Sequence, residues 1–189
     1  MFVPVVARIG GKAKEYYAVI ITLVTTILAL SLVPDVLSSS GVVPRYISWI
    51  SSSAITAGVF IDPLSVLFAL LISFFGLIIS IYSLGYMKGE EGLTRYYFFL
   101  LLFIGSMIGL VISDNFLQLF IFWEMVGLCS YSLISFWYKR PESVRAGTKV
   151  FLMTRIGDIS LLAAIGLLYL SLGSFSFRYA IGTVVGSMS

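Results

Sequence analysis

Histidine is absent from the 189 residues, cysteine occurs once, at Cys129, and only 11% of the residues are charged. A lone cysteine forms no intrachain disulfide, and this composition cannot build a zinc site, a haem ligand or an iron–sulfur cluster from this chain alone. We therefore expect no cofactor in this chain and place any redox centre in other subunits. The GxGxxG, GxxxxGK[ST] and GxSxG stretches are also missing, which argues against catalytic chemistry by the chain on its own.

The chain is rich instead in apolar sequence. Hydrophobic residues make up 59% of it, and its mean hydropathy is +1.05, far above that of an ordinary globular domain. This composition predicts a membrane protein. The net charge of +3 comes with short clusters of Lys and Arg between apolar runs. Such clusters are typical of membrane orientation, so we expect contact with membrane lipid and exclude nucleic acid as a partner.

Five apolar runs meet the length of about 20 residues that a helix needs to cross a bilayer. They are Tyr16–Val36, Asp62–Met87, Tyr96–Ser113, Asn115–Tyr138 and Val150–Leu172. The first is too long for a signal peptide and predicts a permanent anchor. Residues 1–7 are apolar but too few to span. We predict an all-α fold, a polytopic membrane helix bundle of about five transmembrane helices plus a partial N-terminal one, forming a single transmembrane domain over residues 1–189.

The loops between these runs predict an orientation. If the spans alternate, one side carries Arg8, Lys12, Lys14, Lys88, Arg95, Lys139, Arg140, Arg145 and Lys149. Only Arg45 and Arg178 lie on the other side, so the basic loops are predicted to be cytoplasmic in a multi-pass cell-membrane protein. Residues 38–53 then form an extracytoplasmic loop or short hairpin. Pro141 and Gly147 predict a break between the fourth and fifth spans.

Two acids fall near the middle of predicted spans. Glu124 lies within the apolar run LFIFWEMVGLC, and Asp158 lies in the next span with Arg155 three residues before it. An ionised carboxylate at the centre of a membrane helix costs roughly 2.5 to 3.5 kcal/mol, so such groups are usually functional. Arg155 and Asp158 can meet on one helix face, either as a static ion pair or as part of a proton relay. Glu124 has no cation at i±3 or i±4 and is predicted to be unpaired in this chain.

Helical spacing adds Tyr131 to the face of Glu124. Its hydroxyl is a candidate for a proton path, and ordinary packing is the alternative. Gly105 and Gly109 form a GxxxG pair that predicts close helix contact. Cys129 lies off this face and is predicted to be a small core residue.

Four stretches carry a family resemblance: FIDPLSVLFALL, IYSLGYM, DNFLQLFIFWEMVGLCSYSLISFWY and TRIGDISLL. In this order and spacing they resemble the N-terminal part of the large antiporter-like subunit of complex I, called subunit L or chain 5 of NADH-quinone oxidoreductase. The same family includes large subunits of Mrp-type sodium/proton antiporters and of membrane-bound hydrogenases. The resemblance covers residues 1–175, most of the chain.

The resemblance implies roles for these residues. In the family the glutamate of the WE motif belongs to a buried proton channel and pairs with a lysine on a later helix, with the aspartate of RIGD close by. Those positions are Glu124 and Asp158 here, so the expected proton pathway comprises Glu124, Asp158, Arg155 and Tyr131. The implied function is that of a proton-translocating subunit of a complex I-like oxidoreductase, coupled to electron transfer in other subunits.

The family pattern continues for many helices beyond the fifth span, so the resemblance implies an incomplete antiporter-like module. We expect other membrane subunits of a complex I-like assembly as partners, including a chain that supplies the remaining helices; a truncated product is the alternative. Two further functions stay open. One is a component of an Mrp-type cation/proton antiporter or a membrane-bound hydrogenase, and the other is a structural membrane subunit that conducts nothing.

Overall fold

The computed structural model describes residues 13–38, 58–177 and 179. Within them the chain forms the helices α1 (Ala13–Ser31), α2 (Val33–Ser38), α3 (Pro63–Tyr86), α4 (Leu93–Val111), α5 (Phe116–Ile134) and α6 (Pro141–Leu172). Five stretches are long and apolar enough to cross a membrane, with α1 and most of α2 counted as one stretch. The predicted all-α membrane bundle is confirmed. The partial N-terminal helix and nearly all of the predicted loop or hairpin over 38–53 lie outside the described residues.

Local capping interactions explain where α3 and α5 begin. The Asp62 side chain accepts a hydrogen bond from the Ser65 backbone N–H at 2.7 Å, and the Ser65 hydroxyl accepts one from the Asp62 N–H at 2.8 Å. This reciprocal capping box satisfies two donors that a helix start leaves free. At α5 the Asn115 side chain accepts from the Gln118 N–H at 2.8 Å. Both starts agree with the predicted spans.

Helix α6 begins at Pro141, nine residues before the predicted start at Val150. The predicted break between the fourth and fifth spans is confirmed at Pro141 and wrong at Gly147. Pro141 occupies the first turn, where its missing N–H removes no helical hydrogen bond. Gly147 lies inside the helix as a packing residue. The helix ends at Gly173, whose φ of 70° suits a C-terminal cap. At 32 residues α6 is about 48 Å long, whereas the hydrocarbon core is about 30 Å thick.

Consecutive long helices pack against each other: α1 on α3, α3 on α4, α4 on α5 and α5 on α6. Small and hydroxyl-bearing residues allow the close approaches. The Thr26 hydroxyl donates to the Ser73 carbonyl across the α1–α3 contact at 3.1 Å. A Cβ on Gly109 would lie 2.5 Å from the Phe122 ring, whereas Gly105 faces open space. One half of the predicted GxxxG pair therefore makes the close contact.

One end of the bundle, which we call the basic end, gathers the loops that join α3 to α4 and α5 to α6. Arg95 donates to the Phe136 carbonyl at 2.6 Å, and Lys139 forms a 2.7 Å ion pair with Glu91. At the opposite end, backbone bridges join Val59 to Ser113 and Asn115 to Ser176. The predicted grouping of the basic loops on one side of the bundle is therefore found for the described residues.

Helix α6 leaves much of its apolar surface uncovered by the rest of the described chain, and α5 exposes single residues such as Ile121 and Trp123. Cys129 is the fully buried residue of α5, as predicted for a core position. On α6 large apolar side chains such as Ile159 and Leu170 are 70% and 81% exposed. This surface is suited to lipid or to further apolar helices.

Candidate functional site

A polar cluster lies between α5 and α6, within otherwise apolar helices. Arg155 of α6 donates a hydrogen bond through Nη1 to Oε2 of Glu124, which lies near the middle of α5. The two side chains are 30% and 25% exposed. The prediction that Glu124 is unpaired in this chain is therefore wrong. The spacing of residues along α5 reveals only partners on α5, whereas the cation that pairs with Glu124 is Arg155 on α6.

Asp158 completes the cluster. Nε of Arg155 lies 3.7 Å from Oδ2 of Asp158, an ion-pair distance that is longer than a hydrogen bond. The other carboxylate oxygen, Oδ1, accepts a 2.8 Å hydrogen bond from the indole N–H of Trp123. Because the Asp158 side chain is only 8% exposed, these two neighbours provide most of its polar environment. The guanidinium thus lies between two carboxylates, and the predicted i, i+3 approach of Arg155 and Asp158 is confirmed.

A close helix contact at Gly147 sets the register that brings the cluster together. The Ser135 hydroxyl would collide with a Cβ on Gly147, and a ring carbon of Tyr131 would lie 3.4 Å from it. Counting about two helical turns from Gly147 along α6 and from Tyr131 back along α5 leads to Arg155 and Glu124. Since α5 and α6 run in opposite directions, this contact places the two charged groups at the same level.

Tyr131 lies one aromatic ring away from the cluster. Its ring packs on Phe151 at a centroid separation of 5.2 Å. The guanidinium carbon of Arg155 lies 4.6 Å from the centre of the same Phe151 ring, a geometry that stabilises a cation. The structure therefore brings together three of the four predicted residues and connects Tyr131 through Phe151.

Trp123 and Phe151 are the neighbours that sequence reasoning missed. Trp123 stands next to Glu124 in the sequence, and a buried indole N–H usually finds an acceptor. That tendency could have indicated an acid on the neighbouring helix. Phe151 follows Gly147 by one turn of α6, but nothing in its position along the sequence distinguishes it from an ordinary lipid-facing aromatic residue.

The cluster contains two carboxylates and one guanidinium, and this imbalance defines what it can do chemically. Arginine stays protonated in proteins, so any proton that the cluster takes up or releases is carried by Glu124 or Asp158. With both acids ionised the cluster carries one uncompensated negative charge. In a medium of low dielectric constant such a charge interacts strongly with a nearby proton or cation.

The fold and this cluster define a polytopic membrane protein with an ionisable site between two transmembrane helices. Two family models match the chain. One is described as the transmembrane part of NADH:quinone oxidoreductase and Mrp antiporters and matches residues 113–188. The other, the N-terminal part of chain 5 of NADH-ubiquinone oxidoreductase, matches residues 47–97. The chain belongs to this family of antiporter-like membrane subunits, as an N-terminal part of one.

Similar individual proteins include both quinone oxidoreductase subunits and an antiporter subunit. The chain is 42% identical over 157 residues to NAD(P)H-quinone oxidoreductase subunit 5 from the chloroplast of Anthoceros angustus, covering 82% of this chain and 21% of that protein. It is 42% identical over 151 residues to a Na(+)/H(+) antiporter subunit of Alkalihalophilus pseudofirmus, covering 79% and 19%. The chain therefore spans about a fifth of the length of these relatives.

Two solved structures share its fold. The archaeal membrane-bound sulfane sulfur reductase, a respiratory membrane complex, contains a chain with a TM-score of 0.85 and 24% identity, covering 95% of this chain and 37% of that one. A chain of the Mrp complex from Dietzia has a TM-score of 0.76 and 26% identity, covering 93% and 18%. Both neighbours belong to membrane complexes.

Proposed function

We propose that this chain is the N-terminal part of a proton-translocating subunit of a complex I-like quinone oxidoreductase. Protons move through it while electrons move through other subunits. The observation that carries the proposal is the position of Arg155, hydrogen-bonded to Glu124 and ion-paired with Asp158. Two acids that share one permanent cation between membrane helices form a site whose charge is balanced by the uptake of one proton.

The proposed cycle uses the two partners of Arg155. When a proton binds Asp158, that group loses its negative charge, and the positive charge of Arg155 compensates the carboxylate of Glu124 alone. When the proton moves on to Glu124, the guanidinium is released toward Asp158, which lies 3.7 Å from it already. Opposite charges in a poorly hydrated site interact strongly, so the location of the proton determines the partner of the cation. Such a coupling gives the transfer a direction when a further cation arrives from outside the chain.

The uncovered surface of α5 and α6 supports the idea that further helices complete this module. In the described chain Glu124 and Arg155 remain partly exposed, although they lie in apolar helices. We propose that the remaining helices cover this surface and supply the further cation, as partners within a larger membrane complex. The 1–189 segment is then one incomplete transmembrane domain. The redox cofactors of the complex lie in other subunits.

The distribution of charge supports one orientation in the cell membrane. Lys88, Arg95, Lys139 and Arg140 lie in or beside the loops of the basic end. Positively charged loops are retained in the cytoplasm during insertion, so we propose that the basic end is cytoplasmic. Labelling of intact cells tests this orientation with a single cysteine at Glu90 or at Ser174 in a Cys129→Ser background. A membrane-impermeant reagent should label Ser174→Cys and spare Glu90→Cys, and the reverse pattern would overturn the orientation.

The first experiment is Glu124→Gln in the native complex, followed in membrane vesicles with electron transfer and proton uptake measured together. We expect electron transfer to continue, the complex to assemble and proton uptake per electron to fall. Glu91→Gln is the matched control, because Glu91 lies at the basic end on the surface, and it should pump normally. Normal pumping by a fully assembled Glu124→Gln complex would instead support the alternative in which the chain is purely structural.

A cation/proton antiporter component is the second candidate, favoured by the 42% identity to the Na(+)/H(+) antiporter subunit of Alkalihalophilus pseudofirmus. The two functions differ in their energy source. An antiporter exchanges sodium for protons across vesicles without any electron donor, whereas the proposed pump moves protons only during electron transfer. Sodium-driven dissipation of an imposed pH difference, lost in Glu124→Gln, would assign the antiporter function.

A further inference from the structure

We propose that Trp123 is a positioning residue that holds the Asp158 carboxylate in the orientation in which one oxygen faces Arg155. The inference rests on the proposed function, because it concerns the same site. It starts from the 2.8 Å hydrogen bond between the indole N–H of Trp123 and Oδ1 of Asp158. This bond joins α5 to α6 across the helix contact, next to the Glu124–Arg155 pair.

The chemistry of indole makes this contact directional. The indole N–H donates a hydrogen bond and accepts none. Oδ1 of Asp158 must therefore act as the acceptor. With Oδ1 held by the indole, the other oxygen, Oδ2, lies 3.7 Å from Nε of Arg155. Trp123 thus fixes the rotation of the carboxylate that turns Oδ2 toward the guanidinium.

This orientation couples proton binding at Asp158 to the position of Arg155. When a proton binds the carboxylate, the negative charge that attracts Nε is lost, so the guanidinium loses its interaction with Asp158 and keeps its hydrogen bond to Glu124. Without the indole donor the carboxylate can rotate away from Arg155, and proton binding at Asp158 no longer determines the position of Arg155.

The arrangement of the side chains agrees with a positioning role. Asp158 is 6% exposed as a residue, whereas Trp123 is 48% exposed. Trp123 therefore keeps much of its surface outside the cluster and brings one N–H to a buried acid. The rest of the ring is available for lipid or a neighbouring helix, and its replacement by another aromatic ring preserves that surface.

The test is Trp123→Phe in the assembled native complex, which removes the N–H donor and keeps an aromatic ring. The matched control is Trp137→Phe, because its indole N–H donates at 3.1 Å to Glu90 on the exposed basic end. The measured quantity is the component of proton uptake that Glu124→Gln abolishes. We expect this component to fall about tenfold, the equivalent of about 1.4 kcal/mol, in Trp123→Phe and to stay unchanged in the control. A normal component in Trp123→Phe would overturn the inference.

A second measurement separates positioning from a general structural effect. In infrared spectra, the band of the Asp158 carboxyl group is the one that Asp158→Asn removes. Trp123→Phe should shift this band, because it removes a hydrogen bond to Oδ1, whereas Trp137→Phe should leave the band in place. An unshifted band in Trp123→Phe would refute the positioning role.

The failures of the two proposals are distinguishable. If Glu124→Gln and Asp158→Asn both pump normally in assembled complexes, the proposed function fails. If those two variants lose pumping while Trp123→Phe behaves like the wild type, only the role of Trp123 fails. Assembly of each variant is checked by native electrophoresis of the complex before any rate is compared.

Discussion

Replacing Arg155 with methionine removes the single cation that the two acids of the cluster share. Methionine keeps a long flexible side chain that can pack on Phe151, so the main change is electrostatic. The variant leaves Glu124 and Asp158 close together without compensation. Removing one partner of a buried ion pair is far more costly than removing the whole set, because an uncompensated charge stays behind.

The size of the effect follows from the exposure of the groups. Breaking a fully buried pair costs about 3–5 kcal/mol. Here the Asp158 side chain is 8% exposed, whereas those of Glu124 and Arg155 are 25% and 30% exposed. Partial solvation lowers the cost, so we expect Arg155→Met to reduce the free energy of unfolding by about 2–3 kcal/mol. The triple variant that also carries Glu124→Gln and Asp158→Asn should recover to within about 1 kcal/mol of the wild type.

The assay is titration of the purified protein with a denaturing detergent in mixed micelles, followed by circular dichroism. Lys139→Met serves as the control, because it removes an exposed cation from a surface ion pair, and it should leave the transition unchanged. Two results would refute the reasoning: an Arg155→Met variant as stable as the wild type, or a triple variant that is as unstable as the single one. Either would mean that the charges of the cluster are not coupled.

Three further outcomes are expected. Gly109→Ala should lower the free energy of unfolding by about 1–3 kcal/mol through overpacking, whereas Gly105→Ala, which faces open space, should be neutral or stabilising in the same titration. Asp62→Ala should cost about 1 kcal/mol by removing the cap of α3, and Asp62→Asn should restore most of it. Lys139 lowers the pKa of the Glu91 carboxyl, and Glu91 raises the pKa of Lys139. The distance between spin labels on the two loops of the basic end should therefore be constant near neutral pH, increasing only as pH falls through the lowered pKa of Glu91 or rises through the raised pKa of Lys139.

The sequence predicts helices better than it predicts contacts between them. The span of α3 was predictable because an apolar run follows Asp62, whose capping role is local. The start of α6 was predicted nine residues too late, because proline and glycine occur in two kinds of place. Each can end a helix, but proline also fits the first turn of a helix and glycine also fits a close helix contact. Gly147 takes the second role only because α5 lies against it.

The candidate site was predictable as a set of residues but not as a set of bonds. Glu124 and Asp158 are conspicuous as acids in apolar runs. The pairing of Glu124 with Arg155 depends on the length of the turn between α5 and α6 and on the register at Gly147, and both are tertiary properties. The hydrogen bond from Trp123 depends on the same register, so no spacing rule along one helix could reveal it.

The length of α6 has a mechanical consequence. At about 48 Å it exceeds the hydrocarbon core by more than a third of its length, so its first turns extend beyond the apolar layer. A helix is a stiff rod, and a twist applied at its protruding end is transmitted along the axis. A twist of about 20° moves a side chain at a radius of about 5 Å by about 2 Å, which is enough to separate Arg155 from Glu124. A neighbouring protein that holds the Pro141 end would therefore change the ion pairing of the cluster by rotation alone, from outside the membrane and without contacting Glu124, Arg155 or Asp158.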